Sequence, residues 1–88
     1  MWEKYIILDK SVEVPPDEFK NLKYAGKDGE RDNWTRDPGK TKLYTDIQEV
    51  IADATRLRVE FPIKVLHIQI PDKQQGGQIG INISEIKF

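Results

Sequence analysis

The chain has 88 residues, with fourteen Lys+Arg against fifteen Asp+Glu, so its net charge of −1 gives no general pull toward nucleic acid or an anionic membrane. No cysteine and a single histidine exclude disulfide scaffolds, thiolate zinc or iron–sulfur sites, a cysteine nucleophile and multi-histidine metal centres. A chain of this size buries about 64% of its unfolded surface, enough for one helix on one sheet, and its apolar runs are too short for a membrane span or a signal peptide.

Taken in chain order, Tyr5-Ile6-Ile7-Leu8 reads as a strand, and Val12-Glu13-Val14 extends or pairs with it until Pro15-Pro16 stops the run. Asp17 to Tyr24 has room for one helical turn with Phe19 and Leu22 inward. From Ala25 to Gly39 the reading is mostly loop, because Gly26, Asp28-Gly29, Asp32-Asn33 and Asp37-Pro38-Gly39 crowd turn residues together. Lys40–Tyr44 reads as a short strand leading into a helix.

That helix is expected from Asp46 to about Glu60. Thr45 and Gln48 fit a capping box, Asp46 and Glu49 favour the helix N-terminus, and Arg56 and Arg58 favour its end. Ile47, Val50, Ile51, Ala54, Leu57 and Phe61 form one apolar stripe, and Pro62 forbids continuation. Ile63–Ile70 then reads as a strand under the helix. Pro71 to Gln78, with Asp72, Gly76 and Gly77, has turn composition. Ile79, Ile81 and Ile83 alternate with polar residues as a last strand, antiparallel to the previous one. Ile86 and Phe88 break that alternation, and a bulge near Ser84–Glu85 would restore them to the core side. The expected architecture is a single α+β domain over residues 1–88. One amphipathic helix packs on a small, mostly antiparallel sheet, in the order β, irregular, β, α, β, β.

The residues that carry chemistry are sparse. His67 lies mid-strand, and neither Ser11 nor Ser84 has the elbow or oxyanion context a nucleophile needs, so no catalytic residue is expected. Asp28, Glu30, Asp32 and Asp37 lack the glycine position and terminal glutamate of a calcium loop and stand among arginines, so no metal site is expected. Gly39-Lys40-Thr41 has the ending of a phosphate-binding loop, but Trp34 occupies the place of its first glycine. No cofactor is expected either. Residues 20–42 hold seven basic and four acidic side chains with Tyr24 and Trp34 interleaved, which leaves nucleic-acid binding as an alternative. Protein recognition fits better. The arginine- and aromatic-bearing loop suits a contact surface of Arg31, Asn33, Trp34, Arg36, Asp37 and Lys40. The competing reading of Trp34 is that it closes the end of a small core. Gly80, Asn82 and Ser84 leave the outer face of the last strand unguarded by charge, so it can also pair with a second copy in a homodimer. A small-molecule-binding or structural homo-oligomer is the third reading.

Trp34-Thr35-Arg36-Asp37, then Lys40, Leu43-Tyr44-Thr45 and Glu49-Val50, resemble small accessory proteins of phage and mobile-element genomes, with a W-T-x-D turn, a short strand ending in an aromatic, a capped helix and terminal apolar strands. The resemblance covers residues 34–50, extends to residue 70 by pattern, and departs from the usual alanines at Thr41 and Val50. It implies an accessory protein of a mobile genome and carries no common activity. On that basis the expected partner is a host protein in the host cytoplasm, with inhibition of a host enzyme or defence system as the outcome, while the non-enzymatic reading rests on the sparse chemistry above.

Overall fold

The computed structural model describes residues 2–11, 22–71 and 81–88. It is an α+β domain in which one helix covers a five-stranded antiparallel sheet. The strands are β1 (Trp2–Asp9), β2 (Lys23–Asp28), β3 (Arg31–Thr35), β4 (Ile63–Ile70) and β5 (Asn82–Ile86). The helix α1 is Ile47–Leu57, and Pro38–Lys40 forms one 3₁₀ turn. Across the sheet the order is β3-β2-β1-β4-β5, so β1 and β4 are central and β3 and β5 lie at the edges.

The helix starts one residue later than the capping box predicts. Asp46, not Thr45, is the N-cap, and its carboxylate accepts from the Gln48 amide at 2.9 Å. Helical geometry ends at Leu57, three residues short of the expected Glu60, and a turn carries the chain through Phe61 to Pro62. Val50, Ala54 and Leu57 bury against Tyr5, Ile7, Ile63 and Val65, with Ile51, Phe61 and Trp34 closing the margin. Leu57→Ala alone would cost about 3 kcal/mol at such a site.

The sheet is apolar on both faces, and this corrects the bulge expected at Ser84–Glu85. The β4–β5 ladder runs unbroken from Gln69–Asn82 to Val65–Ile86. Strand alternation therefore sends Ile86 to the helix side and Ile83 to the other side. There Ile83 and Ile68 pack on the buried Ile6, Leu8 and Leu66. Lys23 is also buried, opposite Leu8 in the β1–β2 pairing, and burial pulls its ammonium below the usual lysine range.

The largest correction falls on residues 25–39. They hold no long loop: β2 and β3 form a hairpin that closes through Gly29-Glu30 between the paired Asp28 and Arg31. Gly29 at φ +62° followed by a residue of negative φ fits the two-residue hairpin turns that glycine favours. Ladder register shifts between Tyr24 and Gly26, a bulge at Ala25 that Gly26 allows with φ +118°. Lys23 and Tyr24 accordingly belong to a strand and not to a helical turn. Lys40–Tyr44 is no strand either. Its backbone wedges between β1 and β2, with Tyr44 exchanging both hydrogen bonds with Tyr5 and the Lys42 amide donating to the Tyr24 carbonyl. Val12–Val14, Phe19, Ile79 and the turn with Asp72, Gly76 and Gly77 lie outside the described residues.

Candidate functional site

The hairpin is fixed to the helix by a run of polar contacts. The Tyr24 hydroxyl donates to Asp32 at 2.9 Å, and Arg56 of α1 donates to both Asp32 oxygens at 3.0 and 3.2 Å. A second Arg56 nitrogen reaches the Tyr24 oxygen at 3.0 Å and approaches Asp53 at 4.0 Å. On the same helix face Tyr44 donates to Asp53 at 2.6 Å, while Lys42 lies 3.6 Å from that carboxylate and over the Tyr44 ring. Burial, then the hydrogen bond to Asp53, raises the Tyr44 pKa far above the ordinary tyrosine range. Burial and Asp32 raise Tyr24 as well. Burial works against ionisation of Asp32, but hydrogen bonds from Tyr24 and Arg56 outweigh it and hold its carboxyl below the usual range. At neutral pH both tyrosines are therefore proton donors, and Asp32 is an anion locked to Arg56.

Strand alternation decides what the hairpin shows to its surroundings. Asp32 and Trp34 face the helix side, so Arg31 and Asn33 face away and are exposed. The Trp34 ring meets Tyr24 edge-on at 5.5 Å and Phe61 at 5.4 Å. Its indole N–H is buried with no acceptor among the described residues, beside a cavity of about 150 Å³ bounded by Asp9, Leu22 and Phe61. Trp34 thus closes the end of the core, as the competing reading of the sequence has it. Arg36, Asp37 and Lys40 follow on an exposed turn, where Asp37 accepts from the Gly39 amide at 2.9 Å and the Asp37 amide donates to Thr35. The six residues singled out by sequence are therefore contiguous but divided. Arg31, Asn33, Arg36 and Lys40 are presented outward, Asp37 shapes the turn, and Trp34 anchors the frame beneath.

His67 stacks on Tyr5 with ring centroids 4.5 Å apart and hydrogen-bonds Glu3 through Nε2. Burial, Glu3 and Asp46 raise the Tyr5 pKa. Ser84 is the cross-strand partner of His67.

Sequence reading missed a second concentration of charge, at the end of the sheet where β1 and β5 finish and β4 begins. Lys10 after β1, Arg58 after α1, Lys64 in β4 and Lys87 after β5 line one open groove of about 620 Å³, with Phe61 and Phe88 in its wall. No local pattern marks it, because the four cations are scattered over 78 positions of sequence and only the topology gathers them. Among the described residues no group of three or more His, Asp or Glu side chains is placed to hold a metal ion. No helix there is long and apolar enough to cross a membrane. Comparison with models of known protein families, with curated proteins and with solved structures returns no match.

Proposed function

We propose that this chain is a small non-enzymatic binding protein that acts on another protein, with the outward side of β3 and the turn after it as the contact surface. The observation that carries this reading is the division of β3. Asp32 and Trp34 are tied into the helix side, so Arg31, Asn33, Arg36 and Lys40 stand outward on a frame that does not need to be ordered by the partner. Preorganised arginines at the edge of a sheet lose less entropy on binding than the same residues on a free loop. They also sit where a partner's backbone has access to the open side of β3. The resemblance to phage and mobile-element accessory proteins makes a host protein the partner and its inhibition the outcome.

Capture from nuclease-treated host lysate tests this, with wild type beside Arg31→Glu/Arg36→Glu. One protein recovered stoichiometrically by wild type, and lost by a variant that melts at the same temperature, is the expected result. Equal capture by both proteins would remove β3 as the contact surface. Material recovered only when nuclease is omitted would replace a protein partner with nucleic acid.

A further inference from the structure

We infer that the Lys87 end of β5, which borders the groove at the ends of β1, β4 and β5, is a docking site for an extended acidic peptide segment, which adds to the side of β5 that no described strand pairs and places its carboxylates against Lys64 and Lys87. This is a different surface from the outward side of β3, at the opposite edge of the sheet.

The first observation is charge. In a chain of net charge −1, Lys10, Arg58, Lys64 and Lys87 all line one groove, whose lining includes one acidic side chain, Glu85, with Asp9 beside Lys64. Strand alternation sets Lys64 and Lys87 on the same face, the one away from the helix. Among the described residues none of the four is in a salt bridge, whereas Lys42 and Arg56, beside the β2–β3 hairpin, both are. Arg58 donates instead to the Phe88 main-chain oxygen at 3.1 Å and lies over the Phe88 ring at 4.9 Å. That contact fixes its guanidinium at the groove wall. The ladder ends at Val65–Ile86, so continuing its register brings Lys87 opposite Lys64. Like charges so placed repel, which disfavours the empty groove and favours an anion between them.

The second observation selects the kind of anion. β5 is an edge strand paired among the described strands only with β4, and Asn82, Ser84 and Glu85 on it are exposed. An extended peptide satisfies an open strand edge through its own backbone, with alternate side chains aimed at one face. A DNA strand has no backbone donors to offer that edge. Glu85 opposes acidic side chains over the middle of β5, so the carboxylates belong toward its Lys87 end.

The test uses the full chain and a fluorescein-labelled twelve-residue peptide of alternating Glu and Val at low ionic strength, read by anisotropy. Controls are a peptide with Gln for every Glu, a peptide with Pro for every Val, and a twelve-nucleotide oligothymidylate. The inference expects saturable binding of the Glu/Val peptide, weakened at least tenfold by Lys64→Gln/Lys87→Gln at unchanged melting temperature and abolished in both control peptides. Retained binding of the proline peptide would overturn strand addition, and an unaffected double variant would remove the groove. Preference for the oligonucleotide, or no binding of the acidic peptide to the folded wild type, would overturn the proposal as a whole. None of these results depends on lysate capture, so this inference and the β3 reading fail separately.

Discussion

Arg56 in the last turn of α1 and Arg58 at its C-cap stand two residues apart and live under opposite conditions. Arg56 is held by both oxygens of Asp32, by the Tyr24 hydroxyl and by the nearby Asp53, whereas Arg58 meets an aromatic ring and a main-chain oxygen and faces a groove of lysines. The difference runs through the whole molecule. At the hairpin end, charges are matched and spent on orienting β3 against α1. At the β5 end Lys10, Arg58, Lys64 and Lys87 line one groove and form no salt bridge among the described residues. Matched charge at a part-exposed site contributes modest stability and fixed geometry, while unmatched charge contributes little to folding and is available to a partner.

Removing the aromatic anchor beneath the matched end gives the largest expected effect. Trp34→Ala opens space between Tyr24 and Phe61 and should lower unfolding free energy by about 3 kcal/mol in urea titration. Trp34→Phe keeps a ring there and deletes an N–H that has no acceptor among the described residues, so it should cost under about 1 kcal/mol. Equal losses would mean that the indole N–H, and not packing, is what the site uses. Gly29→Ala places a side chain at φ +62°, where space is open but the backbone is strained, for a cost of about 1 kcal/mol. Tyr44→Phe removes the donor to Asp53 and should cost roughly 1 kcal/mol, with Lys42 left as the remaining cation on that carboxylate.

The matched end also has a pH signature. Because the folded pKa of Asp32 lies below its unfolded value, its contribution is complete above about pH 4 and is lost as pH falls through the depressed folded value. Asp32→Asn lacks that contribution at every pH. The stability gap between wild type and variant should therefore be widest near neutrality and close on acidification. Asp9, held low by the Ser11 amide and hydroxyl, keeps its own acid-dependent contribution in both proteins. A gap independent of pH would show that Asp32 acts through shape and not charge.

How much of this was legible in the sequence follows the same division. The helix declared itself through its apolar stripe, the acidic first turn and Pro62, and only the cap slipped by one residue, since Asp46 competes with Thr45 for the same role. β1, β4 and β5 were legible as apolar runs. The break in alternation at Ile86 looked like a bulge because a one-sided sheet was assumed; with both faces apolar, Ile83 and Ile86 each find a core. The β2–β3 hairpin was hidden by its own chemistry. Its inward residues include Asp32, its ladder is interrupted at Ala25, and its turn glycines read as loop composition. Asp28-Gly29 between two short segments was the one available cue. The outward residues of β3 were legible as a polar, arginine-bearing stretch, but not which of them face out. The groove could not be seen at all, because Lys10, Arg58, Lys64 and Lys87 become neighbours only through strand order.

The most direct test of the division between matched and unmatched charge compares two variants by urea unfolding at neutral pH. Arg56→Glu sets a third acid against Asp32 and Asp53 and should cost roughly 1–2 kcal/mol. Lys64→Gln/Lys87→Gln removes two charges from the groove and should leave stability within about 0.5 kcal/mol of wild type. Losses of the same size in both would contradict the account, because the groove cations would then be holding the fold and not waiting for a partner.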